Sequence, residues 1–218
     1  MPIGFQSIND FGTVQIDEEY SSICMKSTSI IYVSGGMSDT TLDVSGINPM
    51  LLFGNTNGVG IVVRSRVSIG TNTWRYTLQA SSNVNVRIYI FDSSTPYAGT
   101  SGLQVFNSSG VLIFDSSAAF LRLSSVLQLS GSGANSFTVP NSGRTYAVAL
   151  TYSRMSVEKK PVTHAPWDLY QEGLWYDGYN ITIDRVKTDY IGGEDPAASR
   201  PNSGAAPPQV LVVDITGF

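Results

Sequence analysis

Apolar and polar residues alternate along this chain in short runs, and Gly, Pro, Asn or Ser cuts the runs every ten residues or so. Val86, Ile88 and Ile90 alternate with Arg87 and Tyr89, the period of two that a half-buried strand requires. The same reading predicts strands at Ile30–Val33, Leu51–Phe53, Gly60–Arg64, Trp74–Gln79, Asn85–Phe91, Leu103–Phe106 and Val111–Phe114. Residues 118–129, AAFLRLSSVLQL, hold enough Leu for a short helix. The Ser pair and the β-rich surroundings favour a strand or bulged strand over Leu121–Leu129 instead. Residues 51–64, LLFGNTNGVGIVVR, predict a hairpin about an Asn-Gly turn. The expectation is an all-β chain.

The pattern also repeats. Residues 4–17 read GFQSINDFGTVQID and residues 102–115 read GLQVFNSSGVLIFD. Gly4/Gly102, Gln6/Gln104, Asn9/Asn107, Gly12/Gly110 and Asp17/Asp115 are identical without a gap. Each segment predicts a strand, an N-x-x-G turn and a return strand, because Asn suits the first and Gly the last position of a type I turn. Further matches follow in the same order: Leu42-Asp43-Val44 with Phe137-Thr138-Val139, Ser65–Ile69 with Ser153–Val157, and Asn85–Ile88 with Asn180–Ile183. The spacing predicts two tandem, duplicated antiparallel β-sandwich units, residues 1–100 and 101–218.

The second unit carries two elaborations. Residues 158–195 hold eight of the seventeen acidic residues together with Trp167, Tyr170, Trp175, Tyr176 and Tyr179, and read as an aromatic and acidic loop region. Residues 192–208, GGEDPAASRPNSGAAPP, read as a Pro/Gly/Ala linker. The apolar run after it, 209–218, predicts a terminal strand that cannot remain an unpaired edge in water. Val210, Leu211, Val212, Val213 and Ile215 then either close their own sheet or add to that of a neighbouring subunit.

Composition narrows the chemistry. Only 14% of the 218 residues are charged, and the net charge is −4. A quarter is usual, so the surface is either neutral and polar or covered by other chains. The acidic balance argues against nucleic-acid binding, which needs a basic face. No run reaches the length of a membrane span, and the N-terminus lacks the basic and apolar regions of a secretion signal. Cys24 is the single cysteine and reads as a small buried hydrophobe; His164 is the single histidine and reads as a loop residue. With no nucleophile, metal or phosphate motif, the expectation is a non-enzymatic protein without catalytic residues, metal or cofactor.

Binding is the remaining chemistry. Trp167, Tyr170, Trp175, Tyr176 and Tyr179 with Asp168, Glu172 and Asp177 are the candidate ligand or interface platform. Aromatic faces stack on sugar rings while carboxylates accept hydroxyl hydrogen bonds, which suits a host-surface glycan. The same residues serve equally to cap a sandwich or to pack against a subunit. Asp17-Glu18-Glu19 and Glu194-Asp195 lack the alternating spacing of a calcium loop and read as solvated acids.

The N-terminal pattern M-x-x-G-F-Q-x-x-N-x-x-G-x-x-x-I-D and the closing V-L-V-V-D-I-T-G-F resemble small structural virion proteins of tailed bacteriophages, encoded near tail-tip and tail-fibre genes. The first motif stands at Gly4–Asp17 and again, in part, at Gly102–Asp115; the second is Val210–Phe218. The resemblance implies a virion (tail) location, at the tail tip, baseplate or fibre attachment region, with other phage tail proteins as partners. A duplicated chain also suits a homo-oligomer, a trimer above all, because three copies of two units present six similar surfaces where sixfold tubes meet threefold tips. A carbohydrate-binding host-adhesion module and a head-decoration or head-fibre protein are the alternatives.

Overall fold

Among the described residues, the runs of alternating residues form seventeen strands and no helix. The computed structural model describes residues 7–8, 14–16, 22–93, 102–130, 134–140, 143–158, 167–191 and 207–218. In the first half the strands are β1 (Ser7–Ile8), β2 (Val14–Ile16), β3 (Cys24–Val33), β4 (Thr40–Ser45), β5 (Met50–Phe53), β6 (Ile61–Gly70), β7 (Thr73–Ala80) and β8 (Val84–Asp92). In the second they are β9 (Gln104–Phe106), β10 (Leu112–Asp115), β11 (Leu123–Gln128), β12 (Asn135–Thr138), β13 (Tyr146–Leu150), β14 (Met155–Glu158), β15 (Trp167–Tyr176), β16 (Asn180–Ile191) and β17 (Gln209–Asp214).

Two sheets pack face to face, and each half of the chain supplies three strands to each main order. One sheet has the order β11-β17-β13-β5-β8-β3, the other β12-β16-β15-β6-β7-β4, with β14 paired to β15. The winding is the same in both halves. With β14 set aside, the first, last and third strands after each opening hairpin form one sheet, and the second, fifth and fourth form the other. This is a nested, jelly-roll-like course. The halves are therefore not separate sandwiches: they merge through Phe53↔Val148 in one sheet and Ile61↔Leu174 in the other. The expected boundary near residue 100 falls outside the described residues.

Three cores follow from the alternation. Leu51, Phe53, Ile61, Leu78, Val86 and Ile88 fill the space between the sheets in the first half. Val148, Leu174, Tyr176, Ile181, Ile183, Val210 and Val212 fill it in the second. The third core lies on the other face of the six-stranded sheet, where Leu52, Tyr89, Phe91, Ala147, Val213 and Ile215 gather residues of both halves. That face is curled by residues 119–128. Met25 N–H donates to the Ala119 carbonyl and Leu121 N–H to that of Ile23, while Asp214 N–H donates to that of Arg122. One continuous segment thus hydrogen-bonds first to β3 and then to β17, the start of one edge and the neighbour of the other.

The repeated hairpin is built as its sequence requires. β9 and β10 pair around an Asn107–Gly110 turn, in which Gly110 N–H donates to the Asn107 carbonyl and the Asn107 side chain accepts from Ser109 and Val111. Gly102 and Gly110 take left-handed φ of 120° and 75°. Gln104 donates to Asp115, which is fully buried and also accepts from the Ser117 N–H and hydroxyl. All five repeated identities therefore have a folding role in this copy. In the other copy β1 and β2 pair antiparallel, and the turn between them lies outside the described residues.

Three expectations are corrected. Residues 51–64 do not form a hairpin. Asn57 and Gly58 make the tight turn, both at positive φ, but β5 goes to one sheet and β6 to the other. The described part of the aromatic and acidic stretch, residues 167–191, is not a loop, since β15 and β16 form the longest hairpin among the described residues. The Ser153–Val157 match to Ser65–Ile69 leads to β14, a strand added to the second half, whereas the position of β6 in the winding is taken by β15.

Candidate functional site

The eight residues of the proposed platform are brought onto one hairpin but not onto one surface. Strand alternation sends Tyr176 into the core, where its hydroxyl donates to the Gly178 carbonyl and burial pushes the phenol up to about 12. Trp175 points to the opposite face and lies so close over Gly60 that a Cβ there would stand 2.2 Å from the indole. Tyr170 lies beneath the Arg185 guanidinium, Trp167 is half-buried at the start of β15, and Tyr179 is exposed in the β15–β16 turn. The three acids have structural partners. Asp168 is buried and pairs with Lys187 at 2.9 Å, and that hydrogen bond holds the ammonium above its usual range. Glu172 is gripped by Arg154 through both carboxylate oxygens. Asp177 accepts from the N–H groups of Asn180 and Tyr179, which hold its carboxyl below the usual range while closing the turn.

The terminal strand also has a definite place. β17 lies between β11 and β13 of its own chain, antiparallel to both. Val210, Val212 and Val213 are fully buried, Ile215 nearly so, and Leu211 half-buried. Of the two fates open to it, closing its own sheet is the one adopted here. Cys24 is buried as expected, and desolvation pushes its thiol up to about 11, away from reactivity at neutral pH. His164, Asp17–Glu19 and Glu194-Asp195 lie outside the described residues. Among the described residues, no three His, Cys, Asp or Glu side chains are grouped to hold a metal, and no helix is long and apolar enough to cross a membrane.

A concave site among the described residues lies where the two halves part. Each seam is a single residue pair, Phe53↔Val148 and Ile61↔Leu174; past it β15 pairs with β14, while β6 carries a bulge between Val63 and Ser65. The resulting cleft has a volume of about 470 Å³. Leu51, Phe53, Ile61, Leu150, Leu174 and Leu211 give it an apolar lining. Its polar groups come from both walls. On one wall, Tyr76 donates its hydroxyl to the Pro49 carbonyl, and Arg66 stacks on Trp74 at 3.9 Å while donating to the Asn48 side chain. On the other, Ser153 donates to the Glu172 carbonyl, and Gln171 is 6% exposed with its side-chain carbonyl oxygen unpartnered.

This cleft was not expected from the sequence, yet one signal pointed to it. Ser65, Arg66 and Ser153 of the repeated Ser-Arg line it, and Arg154, next to Ser153, pairs with the lining residue Glu172. The two arginines are answered differently: Glu172 pairs with Arg154, whereas no carboxylate lies within ion-pair distance of Arg66 among the described residues. Chemically the cleft offers apolar burial, the unpartnered Gln171 acceptor and the Arg66 cation, beside an Arg64 already paired with Asp39 and Asp189. No family model, no curated protein and no solved structure matches the chain.

Proposed function

We propose that the chain is a non-enzymatic structural protein of a tailed bacteriophage particle, placed at the tail tip, baseplate or fibre attachment region. It would assemble with other tail proteins, and with copies of itself, through sandwich edges. The observation that carries this reading is the state of the edge strands. β3, β4, β11 and β12 end the two sheets, and the only charged residues in them are Lys26 and Asp43. Edge strands in proteins that remain single are normally blunted by charge. Here Ile30 and Tyr32 on β3 are 61% and 52% exposed, and Leu123 and Val126 on β11 are 51% and 45% exposed. Apolar side chains on sparsely charged edges suit burial against neighbouring chains, and so does the low overall charge. A trimer presenting two similar windings per chain would offer six related surfaces. The resemblance of the hairpin and closing motifs supplies the particle.

A glycan-binding role has less support, because the aromatic residues that would form its platform are divided between two faces. The test is to tag the chain in its native genome, purify particles and locate the tag by immuno-gold microscopy. Label at the tail end is the expected result. A tag recovered only in the soluble fraction overturns the proposal, and label on the head moves the protein to the head-decoration class.

A further inference from the structure

The cleft holds an asymmetry that the folded chain does not resolve. Arg66 lines it with no carboxylate at ion-pair distance among the described residues, whereas Arg154, its counterpart in the repeated Ser-Arg, pairs with Glu172. Arg66 is already oriented by the Trp74 face and Asn48, and its guanidinium can still take a carboxylate. Gln171 contributes a buried acceptor with no donor. A buried, unsatisfied carbonyl is costly unless something supplies the missing N–H or O–H. Beyond Ile61, β6 is paired among the described residues with β7 alone, so its other edge offers backbone groups along the cleft.

We propose that this cleft is a docking groove for an extended segment of a partner polypeptide that adds as a strand along β6. The segment places an apolar side chain on the Leu51, Phe53 and Leu150 lining, gives an N–H to Gln171 and sets an acidic side chain against Arg66. Three features favour a polypeptide over a small apolar molecule. That edge of β6 offers main-chain pairing, which gives strand addition its affinity. The unpartnered Gln171 acceptor asks for an amide-type donor. The unanswered guanidinium asks for a carboxylate, as its counterpart Arg154 has already found within the chain. A volume of about 470 Å³ lies within the range of pockets that bury several groups at once. The inference deepens the assembly reading by naming one contact, and rests on it only for the kind of partner.

The test uses the full chain and a random library of short displayed peptides, with counter-selection on the Ser65→Trp variant, whose new indole is designed to fill the groove from its rim. Expected is enrichment of segments with alternating aliphatic residues and an Asp or Glu. An enriched peptide, synthesised with both ends blocked, should bind about tenfold or more weakly to S65W and to R66E, with melting temperatures of both variants close to the parent. Replacing its acid by Lys should restore binding to R66E. No enrichment over S65W, or equal binding to R66E, overturns the proposal. Saturable binding of anilinonaphthalene sulfonate to the parent but not to S65W, without any enriched peptide, would make the cleft a small-molecule pocket and overturn it equally. Peptide binding by the isolated chain and its position in particles are separate measurements, so either reading can fail alone.

Discussion

The two halves of the chain end their last inner strands on the same residue and satisfy it by different means. Asp92 closes β8 and Asp214 closes β17, and the two strands occupy the same place in the repeated winding. Both carboxylates are buried, at 1% and 3% exposure. In the first half, the N–H groups of Ile47 and Asn48, in the loop between β4 and β5, donate to Asp92. In the second, Arg144 from the corresponding loop between β12 and β13 reaches Asp214 with its guanidinium, and Arg122 stands at 4.0 Å. Thr216 adds a backbone N–H. The role is shared: a carboxylate at the strand end pins the loop that leads into the sheet's third strand. The difference lies in what happens when the carboxylate is lost. Backbone donors in a folded loop have nowhere else to go, whereas exposed guanidiniums return to water.

That distinction sets an order of effects. Asp92→Ala strands two backbone donors and should lower unfolding free energy by about 3 kcal/mol in a denaturant titration. Thr56→Val breaks the seam between the halves, because the Thr56 hydroxyl donates to the Tyr176 carbonyl and accepts from its N–H at a fully buried site. A loss of about 2 kcal/mol is expected there, with a single transition retained. Asp214→Ala should cost less than Asp92→Ala, about 1 to 2 kcal/mol. Arg144→Ala should cost under about 1 kcal/mol, since its side chain is 57% exposed and Asp214 keeps Thr216. Equal losses for the two aspartates would erase the distinction between backbone and guanidinium partners.

Acid provides a second way to separate the halves. Burial pushes the Asp214 carboxyl up, but Thr216, Arg144 and Arg122 outweigh it and hold the group below its usual range. A carboxyl depressed in the folded state contributes stability that is present above its unfolded value of about 3.9 and lost as pH falls through the folded value. The fall in stability below about pH 4 should therefore be shallower in D214A than in the parent. An unchanged slope would show that Asp214 does not couple to folding.

Local chemistry was the part of the fold written in the sequence. Val86, Ile88 and Ile90 announced β8 because an alternating face needs no knowledge of its partner. The Asn107–Gly110 turn was legible for the same reason, and the Ser pair of Leu121–Leu129 marked the bulge that β11 carries between Leu123 and Ser125. What depended on distant partners was not legible. Asn57-Gly58 specifies a tight turn but not whether the strands leaving it share a sheet. Asp168, Gln171 and Glu172 made β15 look like a polar loop, since Lys187 and Arg154, which make the two acids tolerable inside a strand, lie 19 and 18 residues away. The cleft arises from the divergence of two halves that the periodicity had described as independent. Its residues could be read only as a repeated Ser-Arg, without the place each would occupy.

The central claim is that the halves share two sheets and one of the cores, with β8 and β17 as matched inner strands. Native-state hydrogen exchange resolved to single amides tests it most directly. The account predicts that the amides of Val86–Phe91 and Val210–Val213 are among the slowest in the chain and exchange with a common opening free energy. Exchange of β17 orders of magnitude faster than β8, or separate opening of the two halves, would contradict it.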